Sequence, residues 1–291
     1  MVSMAYPTGP GAPHQATCYR HPDRPGYVSC TRCERPICGD CMRNAAVGHQ
    51  CVGCVQAGAR GIPPTRTRFG GRVRSATPVV TYALIAANVL AFIMEMSSDS
   101  LRKELVLWPP AVADGQLYRL VTSMFIHYGA THLLFNMWAL YVVGPPLELW
   151  LGRLRFTTLY ALSGLGGSVL VYLLSPLNSA TAGASGAIFG LFAATFVVAK
   201  RLELNVRGVT AVIVINLIFT FVMPAVSSHL ISWQGHVGGL VTGGLIATAY
   251  AYAPREGRNV VGVIASVGTL AVLAILVWWR TAVLVAEYGL S

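Results

Sequence analysis

The sequence predicts an all-α polytopic membrane protein preceded by a small cysteine-rich domain. Three observations carry that reading. Of 291 residues, 54% are hydrophobic and only 11% are charged, far from the balance of a soluble globular domain. Apolar runs recur near 78–96, 131–147, 156–175, 185–200, 208–225, 233–253 and 259–279, several at the short end of the roughly 17–25 residues a span requires. All seven cysteines lie before the first run, within residues 16–57.

Taken in order, residues 1–15 are rich in Gly, Pro and Ala and are expected to be disordered. Residues 16–57 hold Cys18-x-x-His21, Cys30-x-x-Cys33, Cys38-x-x-Cys41 and Cys51-x-x-Cys54. Four such pairs give eight soft ligands, enough for two tetrahedral Zn2+ sites. Disulfides conflict with an odd cysteine count and with a cytoplasmic head. His49 sits at a spacing that also lets it replace a cysteine in the second site. So short a segment, poor in large apolar residues, needs metal to fold. The two ions are therefore structural, with no cofactor expected for catalysis, and the head is expected to present a surface to a cytoplasmic protein partner. Residues 58–77, with Arg66, Arg68, Arg72 and Arg74, read as a basic linker reaching the lipid surface.

No signal peptide precedes the first apolar run, which starts near Val79. The formal net charge of +10 does not imply nucleic acid, because the basic residues are spread between apolar runs instead of forming one patch. Their distribution fixes orientation. With the N-terminus cytoplasmic, seventeen Lys and Arg fall inside and only Arg102, Lys103, Arg119 and Arg280 fall outside. Seven spans then leave the C-terminus outside the cell membrane. Residues 97–130, with Trp108-Pro109-Pro110 and the segment from Tyr118-Arg119 to Ile126, are too long and amphipathic for a hairpin loop and read as an interfacial substructure.

The same topology places chemistry. The second, fourth and sixth spans all run from outside to inside, so their first residues share one depth. At those starts stand His132 and Asn136, Ser185, and His236. His132 and Asn136, four apart, share a helix face. Polar groups in hydrocarbon are costly and point to function; the competing reading is helix packing through small-x-x-small seams, in which a serine among glycines is ordinary. The shared level favours chemistry. Ser185 is the candidate nucleophile and His236 its general base, with an imidazole suited to proton transfer near neutrality. No acidic residue lies at that level in these three spans, and Glu148 falls at the far end of its own, so a Ser–His dyad without a carboxylate is expected. The Ser185 backbone N–H, the Asn136 amide and His132 form the candidate oxyanion hole. Gly183 and Gly186, with Gly235, Gly238, Gly239, Gly243 and Gly244, would let the fourth and sixth spans touch.

These residues carry a resemblance. Gly183-Ala184-Ser185-Gly186, His132-x-x-x-Asn136 and Gly235-His236-Val237-Gly238-Gly239 followed by Gly243-Gly244 resemble the motifs of the rhomboid intramembrane serine proteases, in the same order and on the same helices. The resemblance covers roughly residues 78–253 and implies a six-helix core. Residues 254–291 then add one C-terminal transmembrane helix, as in some members. It implies Ser185 as nucleophile, His236 as base, His132 and Asn136 as oxyanion donors, and Phe189 as an aromatic stacked on the histidine. Tyr118-Arg119 stands where members commonly have Trp-Arg, and Gly235 where other small residues often precede the histidine; neither touches a reacting group. The implied activity is hydrolysis of peptide bonds in or near transmembrane helices of other proteins, at the outer face of a cell membrane, a bacterial plasma membrane on the Ala-, Gly-, Val- and Arg-rich composition. The fifth span, with Asn216 and Pro224, is the expected moving gate. The head resembles a B-box-type cross-brace, which implies Cys18, His21, Cys38 and Cys41 on one ion and Cys30, Cys33, Cys51 and Cys54 on the other. A catalytically silent rhomboid-like binder recruiting partners through its zinc head is the alternative. A transporter fits poorly, since the polar groups gather near one surface and no inverted repeat is visible.

Overall fold

The computed structural model describes residues 16–60, 66–71, 77–226 and 232–289; residues 1–15 and half of the linker, including Arg72 and Arg74, lie outside them. The chain divides into two compact units at Pro64–Thr65.

The first unit is two small hairpins and a helix. Strands β1 (Val28–Ser29) and β2 (Pro36–Ile37) pair antiparallel, as do β3 (Met42–Asn44) and β4 (His49–Cys51), and α1 spans Val52–Arg60. A short 3-10 turn, Gly39–Cys41, lies between the hairpins. The buried apolar side chains are five cysteines and Ile37. One ordinary hydrophobe cannot offset the ordering of some forty residues at about 1–2 kcal/mol of backbone entropy each. The sulfurs must carry this unit.

The second unit is helical. Seven long helices follow the apolar runs: α2 (Val79–Met96), then, after three short helices, α6 (Ala130–Leu151), α7 (Arg153–Leu174), α8 (Ser185–Arg201), α9 (Arg207–Val226), α10 (Trp233–Tyr252) and α11 (Arg258–Tyr288). Those between are α3 (Asp99–Leu105), α4 (Pro109–Ala113) and α5 (Arg119–Thr122), the substructure expected over 97–130. Of the long helices, α2, α7 and α11 are long and apolar enough to cross a membrane, and α9 is apolar over Arg207–Val222. Helices α6, α8 and α10 are less apolar or shorter. They carry the His, Asn, Ser and glycine positions of the candidate site, with Asn136 buried and His132, Ser185 and His236 partly so. Helix α11 runs nine residues beyond its expected end at 279.

The core sits among α6, α7, α8 and α10, where Leu140, Leu147, Leu151, Phe156, Leu159, Leu191, Val198 and Ala247 are buried. Large side chains such as Leu134, Phe135 and Trp138 on α6 face outward, as a lipid-facing surface requires. Lipid is as apolar as leucine, so close contact between helices, not water exclusion, holds such a bundle. Glycines supply that contact. A Cβ on Gly239 would lie 2.6 Å from the Gly186 carbonyl carbon, and one on Gly243 2.6 Å from the Gly190 oxygen. Gly167 and Gly238 are equally confined, against the Gly235 and Gly166 carbonyls. Gly235 and Gly244, grouped with these from sequence, have room for a methyl, their nearest neighbours standing at 3.6 Å.

Glu148 is a structural cap. Its carboxylate accepts the Val80 and Thr81 N–H groups at 3.0 and 2.8 Å and the Thr81 hydroxyl at 2.8 Å, satisfying donors that a helix start leaves orphaned. It lies twelve residues, about 18 Å, along α6 from Asn136.

Candidate active site

Ser185 is the first residue of α8, and the chain reaches it through Gly183, whose φ of +133° is a conformation closed to most side chains. The Gly183 N–H donates to the Ser123 carbonyl at 2.9 Å. Two residues earlier, Thr181 and Leu107 exchange both backbone hydrogen bonds at 2.9 Å, and the Trp108 indole N–H reaches the Leu177 carbonyl at 3.0 Å. The α3–α5 region thus braces the approach to the serine. That region is itself pinned by Arg119, buried, which donates to the carbonyls of Lys103 and Val106 at 2.8 and 2.9 Å.

His236 lies in the first turn of α10, whose Ser232 side chain caps the helix by accepting the Gly235 N–H at 3.3 Å. The glycine seam between α8 and α10 brings the imidazole to the serine: His236 Nε2 and Ser185 Oγ are 2.9 Å apart. Phe189, one turn into α8, stacks on the imidazole with ring centroids 4.1 Å apart and planes 13° from parallel. The spacing of Ser185 and Phe189 puts serine and aromatic on one face, and both meet the histidine.

His132 borders the same loop. A Cβ on Gly183 would lie 2.8 and 2.9 Å from two His132 ring atoms and 3.7 Å from Ser185 Oγ. Asn136 is buried one turn further into α6, with its amide donating to the His132 carbonyl at 2.9 Å; a second amide hydrogen remains. His127, fully buried, sets its ring edge-on to His132 at 5.1 Å. The Ser185 N–H is among the four a helix start leaves without intrahelical partners. The Ser185 N–H and the His132 ring therefore stand together at the N-terminal end of α8, where the helix dipole also favours negative charge, with Asn136 one turn further along α6.

One contact has no counterpart in the sequence reading. The Nδ1 of His236 lies 2.7 Å from Thr220 Oγ1 of α9. Asn216, singled out on the same helix, turns its amide to the Val212 carbonyl at 2.8 Å. A signal for Thr220 existed. The span order expected from sequence sets α9 antiparallel to α8 and α10, so the level of their starts falls near its end, where Thr220 interrupts Phe219 and Phe221.

In the N-terminal unit, Cys18, His21, Cys38 and Cys41 form one group and Cys30, Cys33, Cys51 and Cys54 another, the ligand atoms of each lying within 4.8 Å of one another. His21 Nδ1 stands 3.4 Å from both Cys38 and Cys41 Sγ. Cys33 and Cys51 Sγ are 3.7 Å apart, far beyond a disulfide and close to the edge, about 3.8 Å, of a sulfur tetrahedron with metal bonds of about 2.3 Å. Burial opposes charge on the Cys18 and Cys30 thiols, yet backbone N–H groups around them win and hold both down to about 6. Hydrogen bonding to Cys51 and Cys33 pushes Cys54 up to about 12. Crowded thiols that cannot all ionise together fit a site shared around a cation, so both groups have the donors to bind metal ions. His49 stands outside both groups, its Nδ1 buried without a partner.

Comparison with known proteins places the second unit. The family model for the Rhomboid domain matches residues 114–253. YdcA of Bacillus subtilis is 37% identical over 178 residues, which cover 58% of this chain and 87% of that protein. The rhomboid protease GluP of the same organism is 36% identical over 191 residues, 62% of this chain but 36% of that one. The rhomboid protease AarA of Providencia stuartii is 26% identical over 210 residues, 62% of this chain and 75% of that one.

Proposed function

The chain belongs to the rhomboid family, and on that premise we propose that it is a serine endopeptidase cutting peptide bonds in or near the transmembrane helices of other proteins by a Ser185–His236 dyad. The observation that carries the proposal is the 2.9 Å contact between Ser185 Oγ and His236 Nε2.

In this reading His236 takes the Ser185 proton as Oγ attacks the scissile carbonyl. The oxyanion receives the Ser185 backbone N–H, the free Asn136 amide hydrogen and His132. The imidazolium returns its proton to the departing amine, leaving an acyl-serine. Water, deprotonated by the same imidazole, then releases the new carboxyl end. Substrates with small or helix-breaking residues at the cut are favoured, since a helical peptide bond is shielded until the helix unwinds locally. The arginine and lysine distribution supports a cytoplasmic N-terminus and cleavage near the outer face of a bacterial plasma membrane. A silent binder would have no need of a histidine held at hydrogen-bond distance from a serine.

For the head, the four-ligand groups support two structural Zn2+, one held by Cys18, His21, Cys38 and Cys41 and the other by Cys30, Cys33, Cys51 and Cys54. The folded surface they maintain would face a cytoplasmic protein.

The decisive measurement is cleavage of a panel of model transmembrane substrates by the purified protein beside Ser185→Ala and His236→Ala. Both variants should lose activity by about 10⁴-fold or more, as when a nucleophile or its base is removed. Equal behaviour of all three proteins would end the protease reading.

A further inference from the structure

We propose that Thr220 of α9 is a positioning residue that fixes the tautomer of His236 and ties the base to α9; the proposal rests on the protease reading. A histidine that is to accept the serine proton must carry its own hydrogen on the other nitrogen. His236 meets Ser185 through Nε2, so Nδ1 must be protonated and requires an acceptor. Thr220 Oγ1 is that acceptor, at 2.7 Å.

The direction of the bond follows from counting hydrogens. A threonine hydroxyl has one hydrogen to give. Thr220 gives it to the Asn216 carbonyl, one turn back and 2.7 Å away. Its oxygen lone pairs then remain for the His236 Nδ1–H. The chain runs Nδ1–H to Thr220, Thr220 O–H to the Asn216 carbonyl. Reversing the first bond would require a second hydroxyl hydrogen or the loss of the second bond. The hydroxyl so takes the orienting place that a carboxylate holds in a triad, without a charge to bury among the helices.

The surroundings set this threonine apart. Threonines in helices commonly bond the carbonyl four residues back and do nothing more; Thr210 on the same helix bonds the Val206 carbonyl in this way and stays exposed. Thr220 is 1% exposed, the single buried side chain among the described residues of α9, whose Ile215, Ile218, Phe219, Phe221 and Val222 are all at least half exposed. Helix α9 thus has one buried polar anchor, and that anchor sits on the base. When the imidazole takes the serine proton, its Nδ1–H stays donated to Thr220 and the ring does not turn. A displacement of α9 that carries Thr220 away would free the ring to adopt the other tautomer, in which Nε2 has no lone pair for the serine. Catalytic competence and the position of α9 are thereby linked through one hydrogen bond.

The test uses the full-length protein labelled with 15N-histidine, with Thr220→Val, Thr220→Ser and, as control, Thr210→Val. His236 signals are assigned by difference from His236→Gln. In the wild type Nδ1 should carry the hydrogen. Thr220→Val should move population to the Nε2–H form and lower kcat by about tenfold or more, part of the roughly 10²–10⁴-fold that general-base catalysis supplies, with KM and melting temperature unchanged. Thr220→Ser should restore both tautomer and kcat, and Thr210→Val should match wild type. A wild-type His236 protonated on Nε2, a Thr220→Val protein with wild-type tautomer, or a serine variant as impaired as the valine would each overturn the proposal. Should wild type and Ser185→Ala prove equally inactive, the protease reading fails by itself, and the wild-type tautomer still decides the role of Thr220.

Discussion

At the residue scale, the imidazole of His236 is held on three sides. Ser185 takes Nε2, Thr220 takes Nδ1, and the Phe189 ring covers one face at 4.1 Å. The stack adds to the two hydrogen bonds in restraining ring rotation about the bond to the chain. Such ring pairs contribute about 0.5–1.5 kcal/mol beyond their buried area. Phe189→Leu should therefore lower kcat/KM by up to roughly tenfold while leaving helicity intact, and Phe189→Tyr should retain most activity. Steady-state cleavage of one model substrate by both variants checks this; a leucine variant as active as wild type would show that the stack is mere packing.

At the element scale, α8 and α10 approach so closely that backbone meets backbone. Gly239→Ala and Gly243→Ala force a methyl into the Gly186 and Gly190 peptides, and overpacking of this kind costs about 1–3 kcal/mol. Gly235→Ala has space and should be silent. Thermal unfolding in detergent should separate the first two from the third, and loss of activity should track loss of stability because the same seam sets the 2.9 Å serine–histidine contact. Much of this was legible beforehand. Span parity put Ser185, His236, His132 and Asn136 at one depth, and the glycine runs announced close contact. Parity does not say which glycine faces which helix, so in the sequence Gly235 and Gly244 look as confined as their neighbours and Gly190 does not stand out. Thr220 carries no such mark, because at that level only even-numbered spans begin. In an odd-numbered span the same level lies near the end, and one threonine in a run of phenylalanines carries little signal. The hairpins of the head were invisible for another reason: strands of two or three residues have no periodicity to detect.

At the scale of the whole molecule, two units rest on different physics. The head has Ile37 and a set of sulfurs for a core, while the membrane unit has a packed bundle of helices. Metal analysis should find about two zinc per chain. A strong chelator should unfold the head, read by proteolysis within residues 16–60, and leave the melting temperature of the helical unit in place. A head that resists proteolysis after chelation would remove the zinc assignment.

The last helix enters the catalytic problem by an indirect route. Leu284, near the far end of α11, is fully buried in a cluster with Leu107, Val112 and Tyr172, and Leu107 is the residue whose backbone grips Thr181 just ahead of the serine loop. Leu284→Ala should cost about 2–5 kcal/mol and lower activity though it touches no reacting group; unfolding and cleavage measured on one preparation would show whether the two losses travel together. The consequence concerns what counts as the minimal enzyme. A version trimmed to the six-helix core would keep every residue of the proposed dyad and oxyanion hole, and would lose the wall against which their scaffold is set.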